Sequence, residues 1–232
     1  MVERLTTALL LGVPAGALSA TVLLPLARRL PRHLLVQWGA IELGERNLML
    51  NRREHKESLD WLLAGGLCLS PVLALLNWGL GRFAVAAAIY CAILQVLARI
   101  DVQTRLLPDV LTLPLLWAGL MFHLSGGWVA LEDAVAGAAV GYGVLWLIWA
   151  AFRGCTGRDG IGFGDLKLAA ANGAWLGLEA VPWALLAASL TGCLVAGLSR
   201  FNGRLKQSET LAFGPYLAMG GILMLFCTQN RF

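Results

Sequence analysis

The sequence has few charged residues, few histidines and no closely paired cysteines, and each shortage excludes a class of protein. Charged residues make up 14% of the 232 residues and apolar types 58%, whereas soluble domains carry about 25% charged residues. A cytosolic globular enzyme, a disordered chain and a disulfide-stapled secreted domain are therefore excluded. The five cysteines stand singly, which indicates neither a disulfide framework nor a metal site. No Ser/His/Asp set is apparent around the three histidines.

Long apolar segments occupy most of the chain. Because a helix needs about 20 apolar residues to cross a bilayer, we predict an all-α, polytopic membrane protein with about eight transmembrane helices. We expect two parts, namely 1–60, the first span with a polar cytoplasmic loop, and 61–232, a membrane-embedded core. The predicted spans are 5–27, 61–80, 83–100, 110–124, 133–152, 166–178, 180–198 and 211–227.

The basic residues are distributed unevenly among the predicted loops. With the amino terminus outside, fifteen of the 18 Lys and Arg residues lie inside, as the positive-inside rule requires. These charges orient the chain and face anionic lipid, so the net charge of +4 does not indicate nucleic acid. The first apolar run has 23 residues and its basic cluster follows it, which predicts a permanent span rather than a cleaved signal.

The stretch 28–60 is the long polar segment of the sequence. Its apolar content is too low for a core of its own. We expect a short amphipathic hairpin on the membrane surface, either as a solvated loop or as a surface that receives a partner.

Three aspartates lie at the predicted inner ends of spans. An ionisable group there costs free energy and usually has a function. Asp101 ends the third span, at a helix carboxyl end where the helix dipole disfavours negative charge. A surface ion pair with a neighbouring arginine is the ordinary alternative for this residue. Asp109 directly follows Pro108 and is expected to cap the next helix. The third aspartate is Asp165.

Asp165 follows a glycine-rich stretch that includes Gly162 and Gly164. We expect a turn there, because glycine readily adopts positive φ and permits close approach of a substrate chain. A phosphate-binding turn is the alternative. The glycine spacing, the absence of a preceding strand and the carboxylate all disfavour it.

Asp101 and Asp165 are separated by two predicted spans, so the chain returns to the same face. Helix packing is able to unite these two carboxyls, and Asp109 with Asp165 is the alternative pair. Two carboxyls in one partly desolvated site share a proton near neutral pH. One then activates water while the other hydrogen-bonds a peptide carbonyl, which predicts an endopeptidase. The alternative is a transporter that uses carboxylates for proton or cation coupling.

The residues around these aspartates resemble the type IV prepilin peptidase family, a branch of the GxGD intramembrane aspartyl proteases. Residues 100–109 are similar to its first aspartate motif, 162–167 to its second and 212–218 to its closing segment. The resemblance implies that Asp101 and Asp165 are the catalytic pair. It also implies a bacterial inner-membrane enzyme that removes a short basic leader from type IV prepilins or type II secretion pseudopilins.

The resemblance further implies N-methylation of the new amino terminus with S-adenosyl-L-methionine. Many members carry two CxxC pairs that bind zinc in the first inner loop, but 28–60 has no cysteine here. Zinc is therefore not expected, and methylation is left open. Proteolysis needs no cofactor. The expected partners are the prepilin or pseudopilin substrate and the lipid bilayer, with no nucleic acid.

The positions of the other motif residues predict further roles. Gly162 and Gly164 are expected to shape the approach of the substrate. Lys167 is expected to tune the charge of Asp165, to touch the substrate or to reach lipid. Gly137 and Gly141 have the spacing that packs membrane helices closely.

Overall fold

The fold is all-α in the computed structural model, which describes residues 2–37, 54–201 and 212–227. Every element in these ranges is an α-helix, so the predicted fold class is confirmed. The helices are α1 (Val2–Gln37), α2 (Glu54–Trp78), α3 (Arg82–Thr104), α4 (Asp109–Leu124), α5 (Leu131–Thr156), α6 (Phe163–Leu176), α7 (Ala180–Phe201) and α8 (Gly214–Cys227).

The eight predicted spans correspond one to one with these helices, but the helices differ in length. Within the described residues, four are long and apolar enough to cross a membrane, namely α3, α5, α7 and the part Arg4–Leu23 of α1. Shorter apolar helices are Ala64–Trp78 in α2, α4 and α8. The 14 residues of α6 extend about 21 Å at 1.5 Å per residue. This helix is shorter than the hydrocarbon core, which is about 30 Å thick.

The polar stretch 28–60 is helical at both ends, since α1 continues to Gln37 and α2 begins at Glu54. Residues 38–53 between them lie outside the described part of the chain. The surface hairpin therefore stays a prediction.

The chain divides into two compact units, Met1–Thr104 and Arg105–Phe232. In the first unit, α1, α2 and α3 pack against one another. The contact between α1 and α2 is close, because a Cβ on Gly16 would lie 2.5 Å from the Cα of Cys68. Composition predicts a division at residue 60, at the end of the polar loop. This division stays a prediction.

The second unit is built around α6, which contacts α4, α5, α7 and α8. Nearly all of its side chains from Asp165 to Leu176 are buried. The contact with α5 brings backbone against backbone, since a Cβ on Gly137 would lie 2.5 Å from the carbonyl oxygen of Gly173. A Cβ on Gly141 would likewise lie 2.5 Å from the carbonyl oxygen of Ala169. The predicted packing role of this glycine pair is confirmed.

Polar side chains of α6 bond to backbone groups of its neighbours. Trp175 Nε1 donates to the carbonyl oxygen of Leu115 on α4 at 2.7 Å. Asn172 Nδ2 donates to that of Leu217 on α8 at 3.0 Å. Since an unsatisfied polar group in an apolar interior is costly, these bonds fix how α6 lies among its neighbours.

Candidate active site

Asp101 and Asp165 are both buried, with 5% and 9% of their surface exposed. Among the acidic side chains that the structure describes, they are the two buried ones. By contrast, the side chain of Asp109 is 47% exposed and that of Asp159 is 63% exposed. Burying a carboxyl group costs free energy, so both positions are favoured as functional ones.

Asp101 lies in the last turns of α3, in the first unit. Its neighbour Ile100 is 1% exposed, and the carbonyl oxygen of Ile100 accepts a hydrogen bond from Thr104 Oγ1 at 2.8 Å. Helix α3 ends at Thr104, because the following residue, Arg105, has a φ of 54°, in the left-handed region. The predicted position of Asp101 near a helix carboxyl end is confirmed.

Asp165 lies in the second unit, in the first turn of α6, rather than in a turn before it. The helix begins at Phe163, and Gly162 is its N-cap with φ −76° and ψ 140°. The capacity of glycine for positive φ is not used at Gly162 or Gly164, since neither has a positive φ. The Asp165 N–H donates to the Gly162 carbonyl oxygen at 3.0 Å. A carboxylate at this end of α6 is favoured by the helix dipole.

The two glycines of this motif have different surroundings. A Cβ on Gly164 would lie 2.8 Å from the Cβ of Leu107, so glycine is needed there for packing. A Cβ on Gly162 would meet, among the described atoms within 4 Å, Oδ2 of Asp165 at 3.6 Å. Packing of the described residues thus leaves room for a methyl group at Gly162, beside the Asp165 carboxylate.

Asp109 forms an ion pair instead of capping α4. The N-cap is Pro108, without a side-chain cap hydrogen bond, so the predicted capping role is wrong. Pro108 has the extended backbone of an N-cap residue, with φ −72° and ψ 131°, which places Asp109 at the first helical position. Lys167 Nζ donates to both carboxylate oxygens of Asp109 at 2.7 Å. With 31% of the Lys167 side chain exposed, such a pair contributes about 0–1 kcal/mol to stability.

A second ion pair orders the chain just before the motif. Arg153 Nη1 donates to Asp159 Oδ1 at 2.9 Å, and Trp149 Nε1 donates to the same oxygen at 3.2 Å. The Trp149 ring packs on that of Phe163 with centroids 5.0 Å apart. The sequence carries no signal for these contacts, which join α5 to the following loop and to the start of α6.

The described residues hold no side-chain cluster suited to a metal ion, and the cavity of the first unit is too apolar for the methyl donor. No group of three or more His, Cys, Asp or Glu side chains among them is placed to hold a metal ion. In the first unit, a cavity of about 490 Å³ lies between α1, α2 and α3, and its lining is apolar apart from Ser19, Ser70 and backbone. S-adenosyl-L-methionine carries charged and hydroxyl groups that need polar partners, so this cavity does not fit it.

Known proteins match the chain over much of its length. The sequence profile described as "Type IV leader peptidase family" matches residues 88–197. A "Prepilin leader peptidase/N-methyltransferase" of Dickeya chrysanthemi is 50% identical over 164 residues, which are 71% of this chain and 57% of the relative. Proteins of the same name from Burkholderia pseudomallei (strain K96243) and Escherichia coli (strain K12) are 48% and 47% identical. They match over 71% and 60% of this chain, and over 52% and 62% of the relative.

The chain therefore spans between 52% and 62% of the length of these three relatives. No solved structure matches it. The profile match begins in α3, ahead of Asp101, and ends in α7, beyond Asp165. It contains both buried carboxyls and the Asp109–Lys167 ion pair, and it agrees with the resemblance seen in the motifs. Over residues 88–197, the chain is similar to the type IV leader peptidase family.

Proposed function

We propose that the chain is an endopeptidase that removes the short basic leader of prepilin-like substrates with Asp101 and Asp165 as its catalytic pair. The observation that carries this proposal is the burial of these two carboxyls, both inside the range that matches a leader peptidase family. The names of the relatives support the substrate class.

The proposed reaction needs one proton shared by two carboxyl groups. The ionised carboxylate takes a proton from water, and the resulting hydroxide attacks the carbon of the scissile peptide bond. The protonated carboxyl donates a hydrogen bond to the carbonyl oxygen, on which negative charge develops. The tetrahedral intermediate then breaks its C–N bond, and the leaving amine takes up the proton. No covalent enzyme adduct forms.

The orientation of the substrate agrees with the charge pattern of the sequence. With basic loops inside, both aspartates lie at the cytoplasmic face of the proposed bacterial inner-membrane enzyme. A substrate with a basic leader inside and an apolar helix across the membrane then presents its cleavage site at the same face. Type IV prepilins and type II secretion pseudopilins are the proposed substrates.

Co-expression with such a substrate tests the proposed function. We expect a shorter product on a gel when the full chain is present, and the unprocessed precursor with an empty vector. Sequencing of the new amino terminus should place the cut after the basic leader. If the precursor persists in the presence of well-expressed, membrane-inserted chain, proteolysis is excluded and the transporter alternative gains support.

Methylation of the new amino terminus is proposed as a separate second activity, with S-adenosyl-L-methionine as the methyl donor. The names of the relatives include it, but nothing in the described cavity favours it. Mass spectrometry of the mature product decides the question, since one methyl group adds about 14 Da. A fully cleaved product without this added mass would exclude methylation and leave the proteolysis proposal intact.

Gly162→Ala is expected to lower leader removal about tenfold without unfolding the protein. The added methyl group would occupy the open space 3.6 Å from Asp165 Oδ2, where the proposed substrate approaches, and displacements of about 1 Å at a reacting centre cost up to about a hundredfold. Gly143→Ala is the control, because a Cβ there would meet nothing within 4 Å among the described residues apart from its own stretch of α5. Equal cleavage rates for both variants would contradict a substrate path beside Gly162.

A further inference from the structure

The start of α6 depends on contacts from outside the helix. The first N–H groups of a helix have no partner within it, and the N-cap Gly162 offers no side chain to them. Asp165 therefore lies in the part of α6 that its own backbone hydrogen bonds hold least, because helix ends fray. A catalytic carboxyl at this place needs a support from elsewhere in the second unit.

Residues 107–109 make two contacts that supply such a support. The residues that they contact lie on either side of Asp165 in the sequence. On one side, Leu107 packs on Gly164, where no Cβ intervenes. On the other side, both carboxylate oxygens of Asp109 accept from Lys167 Nζ at 2.7 Å. Both contacts are made by residues next to Pro108.

Pro108 sets the spacing between these two contacts. Its ring restricts φ, which is −72° with ψ 131°. The Leu107 side chain is buried at 8% exposure, while Asp109 starts α4 one residue after the proline. Further along the same two helices, Trp175 Nε1 donates to the Leu115 carbonyl oxygen. The two helices are thus joined near the aspartate and again close to the other end of α6.

We propose that Asp109 and Lys167 are positioning residues, whose ion pair holds the start of α6 in register with α4 and thereby places the Asp165 carboxyl for catalysis. This inference rests on the proposed function. The pair is too exposed to add much stability, so its loss should displace Asp165 while the fold is kept. The ion pair also gives Lys167 a partner. We therefore assign Lys167 a role through Asp109 and not a direct effect of its charge on Asp165.

The test is a double-mutant cycle on the full chain in membranes, with a prepilin-leader peptide as the substrate. We expect Asp109→Asn and Lys167→Gln each to lower kcat about tenfold with little change in KM, since alignment rather than binding is lost. The double variant should be no worse than either single one, as expected for partners in one contact. Asp133→Asn, at an exposed carboxylate in the first turn of α5, is the control with unchanged kinetics.

The conservative variants Asp109→Glu and Lys167→Arg, which keep the ion pair, are expected to retain most of the activity. If the neutral variants fail to fold, these two still decide, because a loss of kcat in correctly folded conservative variants would overturn the inference. So would wild-type kcat in both neutral variants, or single effects that multiply in the double variant. Asp165→Asn separates the two proposals, because cleavage by that variant would refute the proposed function itself.

Discussion

Leader removal is expected to fall at least about 10²–10⁴-fold in Asp165→Asn and in Asp101→Asn, the range that general acid–base catalysis supplies. Asparagine keeps the shape of the side chain but neither takes nor gives the proton of the proposed reaction. Because both carboxyls are buried, a neutral side chain is also easier to accommodate there, so the folded fraction should not fall. Time courses of precursor processing at equal membrane levels of each variant measure the effect.

Comparison with Asp109→Asn identifies the catalytic pair. If Asp109 rather than Asp101 were the partner of Asp165, Asp109→Asn would abolish cleavage and Asp101→Asn would leave it largely intact. The proposed pair predicts the reverse order, with only a moderate loss at Asp109. Asp133→Asn again serves as the control for removing an exposed carboxylate. Normal processing by both Asp101→Asn and Asp165→Asn would remove the protease proposal.

Gly137→Ala is expected to lower the free energy of unfolding by about 1–3 kcal/mol through overpacking. Its Cβ would lie 2.5 Å from the carbonyl oxygen of Gly173 and 2.7 Å from the carbonyl carbon of Gly177. These are backbone atoms, which do not swing aside as the end of a side chain does. The helices α5 and α6 would have to move apart. A lower midpoint of thermal unfolding in detergent measures this loss.

Gly143→Ala is the matched control, since it lies on α5 as well and a Cβ there would contact no other described helix within 4 Å. At this site the substitution is expected to stabilise the helix by about 0.5–1 kcal/mol, because glycine is the poorer helix former. The two variants should therefore shift the unfolding midpoint in opposite directions. Shifts of the same sign and size would show that the contact between α5 and α6 does not limit stability.

The sequence was sufficient to predict the features that depend on local composition. Apolar segments predicted eight helices, and the structure has a helix for each of them. The spacing of Gly137 and Gly141 predicted close packing, which occurs against α6. The positions of Asp101 and Asp165 near helix ends were predicted from the same segments. Their pairing stays a prediction, because the two residues belong to different units.

Features that depend on distant neighbours were not predicted from the sequence. Asp109 looked like a helix cap because it follows Pro108, but its carboxylate binds Lys167, which is 58 residues further along the chain. Gly164 looked like a flexible turn residue, but its lack of a side chain accommodates Leu107. In both cases local propensity was outweighed by a tertiary contact, which no spacing along the chain reveals.

The enclosure of α6 has a consequence for how the protein is made. This helix is short and carries Asp165, Lys167 and Asn172, so on its own it would partition poorly from the insertion machinery into lipid. The neighbouring α5 is long and apolar enough to cross by itself and makes close backbone contact with α6. Biogenesis of the second unit should therefore proceed by entry of α5 and α6 as one hairpin, with the later helices closing around it.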